Sequence, residues 1–252
     1  MLARLLAPAL VASLALTTGC RGGDESSSEE PTTASSEESD LREGQIADGE
    51  HPEVGLVYFG NSYCTGTLIG PRTVITAAHC FKFSSGVVAS SQPAAGSFGF
   101  VTKGNKYKKV GYHRWRADAY VWQVAFDMGV IQLDEAIPES EATPAVIAEN
   151  WPEDGDSLTV YGYGRYGEKC QETDQGGKHK RKDTVEMPHG FDHRISCPGD
   201  SGGPYFWTGS NEIVALVKGD GLGVEWVASA VRFREWILER RDESEAGDLS
   251  PE

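Results

Sequence analysis

Basic residues are scarce in this chain. Its 23 Lys and Arg stand against 38 Asp and Glu, a formal net charge of −15. Such a balance repels phosphates and sets nucleic acid aside as a partner. Much of the acid lies in the terminal segments; elsewhere it reads as a solvated surface, or more sharply as a preference for basic partners. The apolar run near the start, residues 5–16, is too short to span a bilayer. No fixed-period repeat is present, which excludes solenoids and propellers, and no sign of a cofactor. Helical patterning is rare as well. Only residues 231–240, with Phe233, Trp236 and Ile237 at helical spacing, read as a helix that caps the domain.

Glycine, by contrast, is abundant at 30 residues, favouring tight turns between short strands. Short apolar runs fall at residues 54–59, 67–69, 74–75, 129–133, 158–161 and 213–217, punctuated by Gly, Pro, Asn and Asp. This is the pattern of an all-β barrel or sandwich.

The two ends differ from this middle. Met1 and Arg4 precede the apolar run, which has the shape of a signal-peptide core. Leu16-Thr17-Thr18-Gly19-Cys20 resembles the bacterial lipoprotein box, departing from it at Thr17, where Leu is usual. The resemblance implies lipid on Cys20 and a membrane association through that anchor alone; an ordinary secretory signal with an incidental Cys is the alternative. Both routes lead out of the cytoplasm, where disulfides form. Of the five cysteines, lipidation of Cys20 leaves an even number to pair. Residues 21–44 are almost free of apolar side chains and read as a disordered acidic tether. The expected organisation is therefore a leader at 1–19, a tether or propeptide at 20–45, a folded domain at 46–240 and an acidic tail at 241–252.

Two segments carry chemistry. Cys197-Pro198-Gly199-Asp200-Ser201-Gly202-Gly203-Pro204 surrounds a serine with glycines. A serine hydroxyl needs a base, and the oxyanion it creates needs backbone N–H donors, which a tight glycine turn can aim. Thr76-Ala77-Ala78-His79-Cys80 follows the apolar pair Val74-Ile75 and sets a histidine among small residues. The carboxylate that would orient it is sought between the two, and Asp127, followed by an apolar run, is preferred to Asp118 and Asp134.

Together these segments resemble the chymotrypsin-like (trypsin-family) serine proteases over about residues 46–238, in the family's His, Asp, Ser chain order. The resemblance implies two antiparallel six-stranded β-barrels with a C-terminal helix, and a cleft between the barrels. It implies His79 as general base, Asp127 as its orienting acid, Ser201 as nucleophile, and the N–H groups of Gly199 and Ser201 as the oxyanion hole. Tyr161-Gly162-Tyr163-Gly164 is similar to the segment opening the second barrel. The resemblance also pairs Cys64 with Cys80. Cys197 lacks its usual downstream partner, so counting joins it to Cys170.

Further implications concern specificity and activation. The pocket-floor position is Ile195, where trypsins carry an acid, which favours an apolar or small residue before the scissile bond. Counting back from Trp236 puts Glu225 at another pocket-lining position, where a carboxylate would restore basic preference; Gly221 and Gly223 are equal candidates for the wall. Ile46-Ala47-Asp48-Gly49 resembles the start of a mature protease, whose new ammonium would pair with Asp200. A cut there would release the enzyme from a lipid at Cys20, since residues 21–45 contain no cysteine. His189 and His193 are four apart, but Gly190 and Pro188 argue for a surface loop rather than a metal site; the basic cluster at 178–182 reads as a solvated loop. The expected function is a monomeric serine endopeptidase acting on protein or peptide substrates. A catalytically silent homologue serving as a binding lipoprotein is the main alternative, and an esterase the third.

Overall fold

The apolar runs become strands of two antiparallel sheets in the computed structural model. It describes residues 41, 44–59, 62–81, 98–102, 106–116, 127–167, 169–171, 177, 179–192, 194–221 and 223–247, all within one compact unit. The candidates Cys20, Asp118, Lys178 and His193 lie outside them.

The first sheet is a closed barrel of β2 (Val54–Phe59), β3 (Ser62–Gly70), β4 (Thr73–Thr76), β5 (Phe98–Thr102), β6 (Lys106–Arg116) and β7 (Met128–Leu133), in the order β2-β3-β4-β7-β6-β5. β4 and β7 are buried on successive residues because both of their faces are covered. Val74 and Leu68 join Val57, Ile131 and Leu133 in one buried cluster. Their neighbours Ile75 and Ile69 point the opposite way, as alternation in a strand requires, and meet Phe206, Leu216 and Ile237 in a second cluster. That second cluster cements the barrel to the other sheet and to the helix. Each of these fully buried aliphatic side chains contributes about 1.5–3 kcal/mol relative to exposure.

The second sheet has seven strands: β1 (Gln45–Ile46), β8 (Val146–Ile147), β9 (Ser157–Gly162), β10 (Arg181–Glu186), β11 (Pro204–Trp207), β12 (Glu212–Gly221) and β13 (Val224–Ser229). They run β1-β10-β9-β11-β12-β13, with β8 parallel to β12. The fold is thus the expected chymotrypsin-like pair of sheets with a C-terminal helix. The second sheet, however, holds one strand more than six, and among the described residues its path is open.

Helix α1 spans Arg234–Ala246, past the expected stop at Arg240. Polar residues 241–246 stay helical because the last turn is tied to the barrel. Glu245 Oε1 accepts from the Arg72 amide at 2.8 Å and the Thr73 hydroxyl at 2.6 Å, and Gly247 ends the helix in the left-handed conformation, its N–H donating to the Glu243 and Ser244 carbonyls. The basic cluster is also not a solvated loop. Lys180 is 2% exposed, its Nζ donating to the His51 carbonyl at 2.6 Å and the Val54 carbonyl at 3.3 Å, and Arg181 opens β10. Burial lowers the Lys180 pKa to about 8.

Candidate active site

β4 and β7 lie side by side with Thr76 opposite Gly129. That register brings Asp127, just before β7, against the chain leaving β4. The Ala78 amide donates to the Asp127 carbonyl at 3.1 Å. The His79 amide donates to Asp127 Oδ1 at 2.8 Å, and His79 Nδ1 to Oδ2 at 2.5 Å. Asp127 is buried, its side chain 2% exposed, whereas the His79 ring is 27% exposed. A carboxylate held through both oxygens, on a backbone tied to Ala78, thus fixes the tautomer of a reachable imidazole, with Nε2 on the ring edge away from it. Asp134, at the far end of β7, is exposed and offers only its carbonyl to Arg72.

The small residues beside His79 have a steric reason. Ala77 and Ala78 are fully buried, and Gly202 of the serine turn presses against this segment. A Cβ on Gly202 would overlap the Thr76 hydroxyl and lie 2.6 Å from the Ala77 amide nitrogen. Cys64 is bonded to Cys80, tying the short 3-10 helix Ala78–Phe81 to β3. Cys80 Sγ lies 3.9 Å from the Ser201 carbonyl, and the Thr65 amide donates to that same carbonyl at 2.9 Å. The Gly202 amide donates to Val217 of β12 at 2.7 Å. Ser201 is therefore held at the seam of the two sheets, one residue from the disulfide flank of His79.

Within the turn the amides divide into used and unused. Asp200 N–H donates to the Cys197 carbonyl at 3.0 Å and Gly203 N–H to the Asp200 carbonyl at 2.8 Å. Among the described residues, the N–H groups of Gly199 and Ser201 have no protein acceptor. Gly199 adopts φ +106°, and a Cβ there would overlap the Tyr63 ring; both features demand glycine. Its carbonyl accepts from the Thr65 hydroxyl at 2.9 Å, which in turn accepts from the Tyr163 amide at 3.0 Å. Thr65 went unnoticed in the sequence, although it directly follows Cys64.

Asp200 points away from the turn into the second sheet. Its Oδ1 accepts from the Gly164 amide at 2.6 Å and its Oδ2 from Cys197 at 2.8 Å. Gly162 and Gly164 have no room for a Cβ because this carboxyl fills the space, which explains the Gly-Tyr-Gly pattern. Burial raises the Asp200 pKa to about 7, against the pull of the two amides. The structure does not bring Ile46 to Asp200. Ile46 is 57% exposed and paired with Arg181, which is itself paired with Gly162, two strands from the carboxyl. Leu41, by contrast, is 1% exposed and packs in the cluster of Leu158, Val160, Ile195 and Tyr205.

The two pocket candidates do lie together. Glu225 Oε2 accepts from the Ile195 amide at 3.1 Å and the Ser196 amide at 3.0 Å. Both residues are buried, so Glu225 clamps the extended segment leading into the serine turn. Gly221 and Gly223 flank the β12–β13 hairpin. Cys170 is bonded to Cys197 at the entrance of the turn. His189 is exposed and paired with Asp192 at 2.8 Å. Cys64, His79 and Cys80 bring possible metal-ligand atoms within 4.8 Å of one another, but both sulfurs are consumed in the disulfide.

Two sheets, a helix tied to the barrel, and a serine turn at their seam define the chymotrypsin-like serine protease fold. The solved structure of neuropsin, a serine protease of mouse brain, shares it with a TM-score of 0.59 at 18% identity, covering 78% of this chain and 97% of that one. The trypsin family model matches residues 43–237, and the chain belongs to that family. Human kallikrein-4 is 28% identical over 210 residues, covering 73% of this chain and 80% of kallikrein-4. Trypsin epsilon of Drosophila erecta is 25% identical over 214 residues, 74% of this chain and 81% of its own length.

Proposed function

We propose that this protein is a serine endopeptidase working through His79, Asp127 and Ser201. The observation that carries the reading is the bond between buried Asp127 and the accessible His79 ring, beside a turn whose Gly199 and Ser201 amides have no acceptor among the described residues. Ser201 Oγ attacks the scissile carbonyl carbon while His79 Nε2 takes the hydroxyl proton. The carbonyl oxygen becomes an oxyanion and accepts from the two free amides. The C–N bond then breaks, His79 delivers the proton to the departing amine, and an acyl group remains on Ser201. Water, deprotonated by His79, repeats the sequence on the acyl ester and restores the serine. Asp127 stays ionised throughout and stabilises the imidazolium.

The uncut chain is read as a precursor. An ammonium freed by proteolysis would offset the desolvation of Asp200 and lock the turn. The exposed, strand-paired Ile46 is poorly disposed for this. Leu41, buried in the cluster that contains Val160 two residues from Gly162, is the better candidate. The bond to be cut is then Asp40–Leu41, and no cysteine in residues 21–40 would retain the leader. With lipid on Cys20, the same cut frees the enzyme from its anchor. Two disulfides support an oxidising, extracytoplasmic setting. No described helix is long and apolar enough to cross a membrane.

A fluorophosphonate probe tests the reading. It should label Ser201 after cleavage, and N-terminal sequencing of the labelled form should begin at Leu41. Ser201→Ala should abolish labelling and lower turnover by about 10⁶-fold. Failure to label in either state would favour the silent binding homologue. Labelled protein beginning at Ile46 would overturn the reassignment alone.

A further inference from the structure

We infer that the face of β9, β10 and β11 around Thr159 is a binding site for a neutral sugar, a hexose unit of a glycan. None of the residues that line it belongs to the serine turn, and the inference does not depend on the peptidase reading.

Alternation along β9 sends Leu158 and Val160 into one buried cluster and puts Ser157, Thr159 and Tyr161 on the other face. The register sets Thr184 opposite Thr159 and Lys182 opposite Tyr161. With Glu50, His51, Thr208 and Asn211 these residues line a cavity of about 590 Å³. Sites for small molecules occupy roughly 300–1,000 Å³.

The cavity is lined with hydroxyls that have bonds to spare. Thr159 bonds Thr184 at 3.2 Å and Thr208 at 3.0 Å, and Thr208 bonds Ser157 at 3.0 Å. A hydroxyl offers one donor and two acceptor positions, so each of these threonines keeps at least one bond for a ligand. Either oxygen of each pair can be the donor, so the chain can reverse to suit a ligand hydroxyl that gives or takes a proton. Beside it, Glu50 accepts from the Tyr161 hydroxyl at 3.0 Å and from Lys182 Nζ at 2.7 and 2.8 Å. The Lys182 bond holds the Glu50 carboxyl below its ordinary pKa. The two charges cancel, which gives an ionic ligand no net attraction. A carboxylate next to an ammonium suits adjacent sugar hydroxyls, one donating and the other accepting.

His51 supplies a second indication. It holds φ +43°, a conformation rare outside glycine. Its carbonyl accepts from buried Lys180 Nζ at 2.6 Å, its Nδ1 pairs with Glu53 at 2.6 Å, and its ring stacks on Phe206 at 4.5 Å. Backbone held in so sparsely populated a region gathers at ligand sites, and here it fixes an imidazole in the cavity wall. A peptide is the poorer occupant. β10 lies between β1 and β9, β9 between β10 and β11, and β11 between β9 and β12. No strand edge is open at this face for main-chain pairing, so recognition falls to side chains.

The experiment titrates the full chain with cellobiose, mannobiose, lactose and N,N′-diacetylchitobiose, read by saturation-transfer NMR. Digalacturonate and tetra-alanine are the charged and peptide comparisons. At least one neutral disaccharide should bind with a Kd on the order of 1 mM, and both comparisons more weakly. Thr159→Val removes a hydroxyl and keeps the branched shape; it should weaken binding about three- to ten-fold, the worth of one hydrogen bond. Glu50→Gln should weaken it at least as much. Urea unfolding midpoints check that both variants fold, and Thr184→Val, at an exposed position, repeats the hydroxyl test should Thr159→Val unfold. No binding of the four disaccharides well above that Kd, binding that these variants leave unchanged, or tighter binding of digalacturonate or tetra-alanine would overturn the inference.

Discussion

Replacing Gly199 by alanine separates the oxyanion turn from the rest of the fold. Two independent features oppose a side chain there. The backbone sits at φ +106°, and the added Cβ would collide with the Tyr63 ring while lying 3.0 Å from the Gly164 Cα. Tyr63 is packed below the turn and Gly164 is pinned by its bond to Asp200, so the turn itself must rotate. That rotation takes the Gly199 N–H off the oxyanion. Loss of one such donor costs about 2.7–4 kcal/mol in the transition state, a fall of about 10²–10³ in kcat. Substrate affinity should change little, because the oxyanion exists only at the transition state. Gly209→Ala is the matched control. It too has positive φ, +80°, but nothing lies within 4 Å of its added Cβ. It should pay only the backbone strain, roughly 1–2 kcal/mol of stability, and keep its activity. The assay is steady-state hydrolysis of a fluorogenic peptide, corrected for active sites by fluorophosphonate titration, alongside urea unfolding of both variants. Activity of Gly199→Ala equal to that of the Gly209→Ala control would refute the assignment of that amide.

Three further expectations can be measured on the same preparation. Asp127→Asn should leave the fold intact but lower kcat by about 10⁴, since an amide no longer holds the tautomer in which Nδ1 donates; a near-normal rate would remove Asp127 from the mechanism. Replacing Cys170 and Cys197 together by serine should lower unfolding free energy by about 3.5 kcal/mol in the loop-entropy view, given their separation of 27 residues; urea denaturation reads it, and no change would mean the bond is not formed in solution. Asp200 in the uncut chain holds its proton to about pH 7, against 3.8 for an ordinary aspartate. Between those values the folded state binds the extra proton, so its contribution to stability declines as pH rises through the window and is flat above it, by at most about 1.4 kcal/mol per pH unit. Asp200→Asn should remove that slope from the precursor's unfolding curve, and identical slopes would contradict the assignment.

The parts of the site that were legible are those written in consecutive residues. The serine turn and the Ala-Ala-His-Cys segment each need small residues for a close backbone approach, and that need appears as a local pattern. Asp127 was legible because the strand after it carries apolar residues on both faces. Long-range polar packing left no such trace. Lys180 looks like any surface lysine until β10 folds it beneath residues 51–54. β10 itself, Arg-Lys-Asp-Thr-Val-Glu, buries only Asp183 and Val185 and has too few apolar residues to be read as a strand. Residues 241–246 read as a polar tail because Glu245, which anchors them, finds its partners 172 and 173 residues away.

The same distinction motivates the proposal of Leu41 rather than Ile46 as the activation terminus. An isoleucine followed by a small residue and a glycine is a local signal, and it favoured Ile46. What an activation terminus must satisfy is spatial: it has to lie buried near Asp200. Ile46 is committed to β1, with Arg181 and β9 between it and the carboxyl. To reach Asp200 it would have to break the β1–β10 pairing and the bond between the Arg181 guanidinium and the Gly44 carbonyl, 3.1 Å long. Leu41 is free of that pairing, and its side chain lies in the buried cluster of Val160, Ile195 and Tyr205. A Cβ on Gly44 would lie 2.5 Å from the Lys182 carbonyl and 3.1 Å from the Leu41 carbonyl, so the backbone at Gly44 lies flush against β10. Gly44→Ala should therefore impair activation more than it impairs stability. The measure is the yield of probe-labelled enzyme per molecule cut before Leu41, and full labelling of the cut variant would break the link between this contact and the serine turn.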